Sequence, residues 1–289
     1  MPTNIAKQEA ITITPPNWEL LDFAIMGTTP LFYNAMSLKT QETLLFPRAK
    51  KNAADKSSTF KHNPDEEFEA CFYRAKTPGA PTELAFPAGA IKAAMSTAAL
   101  DTKGVFKTSV FRNIRVVEHD KRGNNLFVWG LPCMAMTPVR SADARGTPDI
   151  RTRGVLLEWA LPVQVKFDAD FFTPESVLNL AARAGESVGW GDWRQEKGAG
   201  SNGLWQIVNL EDPPADYVRI ILEQGRDAQL AAIRERAFFD SESEHLYRYW
   251  HEMAVKAPAA AAERRRRSKK GQPTIIPPGN GLDEGRATA

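Results

Sequence analysis

Residues Gly189–Gly203, GWGDWRQEKGAGSNG, put five glycines and two tryptophans into fifteen positions. This segment joins a helix signal to a strand signal. On its N-terminal side, TPESVLNLAARAG (Thr173–Gly185) reads as a helix, with Thr173 at the N-cap, Pro174 at the first turn and Gly185 at the end. On its C-terminal side, LWQIVNL (Leu204–Leu210) reads as a strand. A glycine loop between helix and strand is not a Walker A loop, which leads into a helix and needs a GK[ST] ending. It is not a dinucleotide fingerprint either, because GWGDW lacks the third glycine and the subsequent helix. Two readings remain. In one, the backbone and the Trp and Arg planes meet a phosphate or a base. In the other, Trp190 and Trp193 pin a plain connector to the core.

The rest of the chain alternates short strand and helix signals. Trp18–Met36 alternates through Leu21, Phe23 and Ile25, with a break at Gly27 and Pro30. Phe68–Arg74, 105–118 and 125–136 read as strands, the last two joined by the turn sequence HDKRGNN. Val155–Asp168 reads as one long strand kinked at Pro162. Leu84–Leu100 is an alanine-rich helix with Pro87 in its first turn. Two insertions, polar over 38–66 and 137–154, interrupt this order. Residues 38–84 begin with a short helix near Thr40–Leu45 and continue as a basic loop with Lys50 and Lys51. Residues 137–154 carry Arg140, Arg145, Arg151 and Arg153 against Asp143 and Asp149. From Pro213 two helices are expected, broken near Asp240-Ser241. The expected fold is α+β: a ferredoxin-like or RRM-like β-α-β-β-α-β core over 14–210 with two inserted subdomains. A C-terminal helical segment (211–257) and a disordered basic tail (258–289) complete the chain.

Charge and composition exclude several classes. The 289 residues carry a net charge of +2, but the tail from Pro258 holds seven Lys/Arg and three Asp/Glu. The remaining 257 residues are therefore slightly acidic, and nucleic-acid binding must come from local clusters. Cys71 and Cys133 show no metal-binding spacing, and no stretch reads as a membrane span or signal peptide. A cytoplasmic protein without cofactor or bound metal is expected. The four histidines form no HExxH pattern, and no GxSxG elbow occurs. Asp143 and Asp149, in an arginine-rich loop, are the acids available to a metal-dependent nuclease reading, but no partner base is evident. The four arginines suit a phosphate clamp, since guanidinium donates bidentately to phosphate.

Three stretches together resemble the RAMP superfamily, whose members build CRISPR effector complexes. IMGTTPLFYNA is similar to the opening strand and turn. In AFPAGAIKAAMSTAAL, Pro87, Gly89, Ile91, Lys92 and Met95 fit the family's first-helix segment, while Ala88, Ala90 and Ala93 depart from it. The glycine loop matches through Gly189, Gly191, Arg194, Gly198, Gly203 and Ile207, lengthened by Gly200-Ser201-Asn202-Gly203. The resemblance spans Trp18 to Leu210. It implies a non-catalytic, sequence-independent guide-RNA-binding subunit, repeated along the RNA. Its partners would be the guide, the complementary target strand, other copies of itself and other effector subunits. Residues 38–84 would be finger-like and 137–154 thumb-like. Contacts to RNA would come from Lys50, Lys51, Lys92, Arg112, Arg140, Arg145, Arg151, Arg153, Trp193, Arg194, Lys197 and Asn202. The chain is also similar to uncharacterised phage proteins. The alternative is therefore a phage or mobile-element protein that binds single-stranded nucleic acid on the same fold.

Overall fold

The computed structural model describes residues 14–46, 62–140, 146–197 and 200–254. The chain divides into two compact units, Met1–Lys50 with His62–Leu246, and Lys51–Lys61 with Tyr247–Ala289. The described part of the second unit, 247–254, is helical and stacks Tyr247 against Trp250 with ring centroids 5.8 Å apart. The expected disordered tail, 258–289, lies outside the described residues.

The first unit is mixed α+β, built around strand β1 (Trp18–Gly27). The region between β1 and β4 (Leu84–Pro87) holds β2 (Leu31–Phe32), α1 (Leu38–Leu45), α2 (Pro64–Ala70) and β3 (Tyr73–Arg74). Helix α3 (Ala88–Ala98), helix α4 (Lys107–Asn113) and strand β5 (Ile114–Val117) come next. Strand β6 (Asn125–Phe127) then leads to β7 (Pro132–Arg140), β8 (Pro148–Leu156) and β9 (Ala160–Asp168). Helix α5 (Pro174–Ser187), strand β10 (Trp205–Val208), α6 (Ala215–Glu223) and α7 (Arg226–Glu235) succeed them.

β1 is central because its apolar residues occupy both faces. It pairs antiparallel with β9 from Trp18↔Asp168 to Met26↔Ala160, and with β10 from Ala24↔Val208 to Gly27↔Trp205. β5 adds to the far side of β9, giving the order β10-β1-β9-β5. Between them the chain passes β1, α3, β5, β9, α5, β10 in sequence. One alternation, Phe23, Ile25, Val163, Val165, Phe167, Ile114 and Val116, is buried. α3 and α5 cover that face, packing on each other and on β5 and β10. On the other face, Ala24, Ala160 and Val208 are covered by Tyr217 and Ile220 of α6.

Two smaller antiparallel sheets complete the unit, β2-β8-β7 and β3-β4-β6. A buried amide stitches the second of these to α7. Gln229 Oε1 accepts from the N–H groups of Glu83 and Leu84 at 2.8 and 3.0 Å, and its Nε2 donates to the carbonyls of Val128 and Gly130.

Several elements differ from the sequence expectation. The strand expected at Phe68–Arg74 is reduced to Tyr73-Arg74 (β3), and Phe68–Ala70 end helix α2, because Asn63 caps that helix, Pro64 opens it and Asp65, Glu66 and Glu67 fill its first turn. Residues 107–113 are helical, and only Ile114–Val117 of 105–118 form a strand. The expected strand 125–136 divides between β6 and β7, which belong to different sheets. The long strand at Val155–Asp168 also divides, at Leu157–Trp159, into the end of β8 and all of β9. Pro162 sits inside β9 opposite Ala24 without breaking it, because β5 on the other side reaches only Gln164. Pro87 ends β4 and serves as the N-cap of α3. The helix expected from Tyr217 onward is two helices, α6 and α7, separated at Gln224-Gly225.

Gly185 does not end its helix. It is buried two residues before the end of α5, where a Cβ would strike the backbone oxygen of Trp205 and approach the indole nitrogen to 2.7 Å. Gly89, near the start of α3, faces open space. The two glycines are therefore expected to respond oppositely to alanine. Gly89→Ala is expected to raise stability by about 0.4–1 kcal/mol through the unfolded chain, and Gly185→Ala to lower it by about 1–3 kcal/mol through overpacking. Urea unfolding midpoints measure both.

Candidate nucleic-acid interface

α5 delivers the chain into the glycine loop at Val188, and the loop is fixed by one side chain. Trp190 is 1% exposed, with its ring centroid 4.5 Å from Phe86, 5.4 Å from Trp159 and 6.1 Å from Trp205. Gly191 (φ +84°) passes beneath Phe32, whose carbonyl accepts from the Asp192 N–H at 3.0 Å. Gly203 (φ +68°) lies so close to the Trp190 carbonyl that a Cβ would overlap it. Its own N–H donates to the Pro30 carbonyl at 2.8 Å, and its carbonyl accepts from the Trp190 N–H at 3.1 Å. Held at both ends, the loop projects Trp193, which is 59% exposed and sits in the left-handed region at φ +51°. The two tryptophans thus have separate positions: Trp190 anchors and Trp193 faces solvent.

Arg194 is next on the loop. Its Nε and Nη2 donate to Glu196 Oε2 at 2.9 and 2.8 Å, and its backbone bridges to Asn202. Asn202 Nδ2 donates to the Asp192 carbonyl at 3.4 Å, so Asn202 shapes the loop. Lys197 is exposed. Across from the loop lie α3 and α4. Lys92 places its ammonium 5.7 Å from the Phe111 ring centroid. Burial, and then the charge of Arg115, lower its pKa. Arg112 is exposed on α4, as are Phe106 and Phe111. A cavity of about 370 Å³ lies between these elements, with Ala93 and Thr97 of α3, Lys107 and Phe111 of α4, and Arg194 and Glu196 of the loop in its lining. No family model and no curated protein matches this chain.

The other expected RNA contacts are placed differently. Arg140 ends β7, and Arg151 is exposed on β8, so both belong to the β7–β8 hairpin. Arg153 is turned inward, and its Nε donates to Asp192 Oδ2 at 2.7 Å, tying that hairpin to the glycine loop. Lys50, Lys51, Arg145 and Asp143 lie outside the described residues. Lys107, Phe106 and Phe111 are additions to the expected set. Their sequence, VFKTSVFRN, carries no capping residue to announce a helix: Phe106 at the N-cap makes no side-chain hydrogen bond.

Asp149 is also placed by the structure. His62 lies between two carboxylates, with Nδ1 2.7 Å from Glu67 Oε1 and Nε2 2.8 Å from Asp149 Oδ1. Asp149 is 87 positions from His62, so nothing in the sequence signals the arrangement. Among the described residues no group of three His, Cys, Asp or Glu side chains is disposed to hold a metal ion. Nearby Cys71 is buried, which pushes its thiol up to about 12 and leaves it without thiolate at neutral pH.

Only an imidazolium donates to both carboxylates at once. Burial opposes the charged ring, but the hydrogen bonds and charges of Glu67 and Asp149 outweigh it and hold the His62 pKa above 6.5. A folded pKa above the unfolded value means that the stabilisation is complete below about pH 6.5 and is lost as pH rises through the folded pKa. The melting temperature of the wild type is expected to exceed that of His62→Gln below about pH 6.5. That difference should narrow as pH rises through the folded pKa. A difference independent of pH would show that the ring is not charged.

Proposed function

We propose that this protein binds single-stranded RNA without reading its sequence, as a RAMP-type subunit repeated along a guide RNA in a CRISPR effector complex. The observation that carries this reading is the glycine loop locked by Trp190. It presents Trp193 and Arg194 beside the basic, aromatic surface of α3 and α4. An exposed aromatic ring stacks on any base, and lysine and arginine neutralise phosphates without regard to sequence. The strand order β10-β1-β9-β5, with α3 and α5 in the two crossovers, supports a ferredoxin-like core beneath this surface. The β7–β8 hairpin, with exposed Arg140 and Arg151, would serve the same strand as the thumb-like element, and the segment bearing α1 and α2 as the finger-like one.

Phosphate contacts by Lys107, Arg112, Arg194 and Lys197 would give a salt slope of about −3 on a single strand, roughly a 50-fold loss of affinity between 50 and 200 mM salt. Fluorescence anisotropy with a labelled single-stranded RNA measures this. Trp193→Ala is expected to weaken binding by about 1–3 kcal/mol. Affinity that ignores both salt and Trp193 would overturn the reading. Single-stranded DNA binding in preference to RNA would favour the mobile-element alternative, since the 2′-hydroxyl is the group that distinguishes the two.

A further inference from the structure

We infer that the cavity between the glycine loop, α3 and α4 receives one unpaired base of the bound strand, while Lys107 and Arg194 at its lining hold the adjoining phosphate. This rests on the single-strand reading above and adds an insertion site to it. The volume, about 370 Å³, lies at the low end of the range for small-ligand pockets. It suits one ring system and its sugar, and is too small for a stretch of polymer.

The chemistry of the lining points the same way. α3 offers Ala90, Ala93 and Ala94, side chains short enough for a flat ring to approach the helix. Tyr73, Phe86 and Phe111 supply aromatic surface for that ring. Phe86 packs against Trp190, also in the lining and 1% exposed, with centroids 4.5 Å apart, so this wall is held in place before anything binds. Asn34 and Glu196 add polar groups suited to a heterocycle's edge. The charges of the lining are Lys107 of α4 and, on the loop, Arg194 paired with Glu196; an incoming phosphate would take the guanidinium from that carboxylate. A phosphate backbone lying flat would use the cations but gain nothing from a concave, ring-lined space. An inserted base uses both. Because stacking accepts every base, the insertion is compatible with binding that ignores sequence.

Ala93→Leu tests this. Ala93 is exposed and lies in the lining, and leucine is a good helix former, so the variant fills the cavity while leaving charge and helix intact. Affinity is compared for a single-stranded RNA of about 12 nucleotides, for a sugar–phosphate strand of equal length without bases, and for inorganic polyphosphate as a backbone-only probe. Ala90→Leu provides a second filling variant, and thermal melts verify that both fold. The wild type is expected to bind RNA about tenfold more tightly than the base-free strand. Either variant should lose about tenfold on RNA and nothing on the base-free strand or polyphosphate. If RNA binds the wild type and both folded variants equally well, the cavity is not a base site, although strand binding stands. If the wild type binds no strand at all, both this inference and the reading beneath it are overturned.

Discussion

The burial of Trp190 is the contact on which the candidate interface depends. Its ring touches β4 through Phe86, the entry to β9 through Trp159 and the start of β10 through Trp205. One aromatic side chain therefore joins the core sheet, the β3-β4-β6 sheet and the glycine loop. The backbone conformations around it accommodate that insertion: Gly189, Gly191 and Gly203 all adopt positive φ, turning the chain tightly enough to return to β10. Trp193 takes a left-handed backbone at the same bend, although it carries a side chain. Rigidity at position 190 is what gives position 193 a defined place in solvent.

Around this anchor, charge pairs connect the peripheral elements. Arg153 reaches from β8 to Asp192 in the loop, and His62 reaches from the start of α2 to Asp149 on β8. The β7–β8 hairpin is thus held at two points, to the loop on one side and to α2 on the other. Both pairs are partly buried, so salt screens them less than it screens pairs on the open surface. An arginine at 153 that looked suited to phosphate is committed to positioning instead.

The sequence was most legible where one local signal dominated. Thr173-Pro174 announces α5, and the alternation Leu21, Phe23, Ile25 announces β1. It was least legible where local and tertiary effects compete. Gly185 reads as a helix stop but is a packing glycine under Trp205, a distinction that exists only once β10 is in place. FEACFYR has strand-like composition, yet the capping chemistry of Asn63 and Pro64, four to five residues upstream, starts a helix that takes in Phe68–Ala70 and leaves only Tyr73-Arg74 as strand. Of the candidate site, the glycine loop and Lys92 were visible as motifs. Which tryptophan was buried, and the presence of Phe111 and Lys107, depended on how remote elements meet.

The order of strands has a consequence for how the chain matures. β1 is made first but lies between β9 and β10, so its neighbours in the sheet arrive about 140 and 180 residues later. The β3-β4-β6 sheet is completed at a later point of the chain, because two N–H groups at the start of β4 and two nearby carbonyls bond to Gln229. During synthesis from the N-terminus, the emerging chain therefore carries an apolar, unpaired strand for most of its length. Helix α7 thus satisfies backbone groups of the β4 and β6 region made about 100 to 145 residues before it.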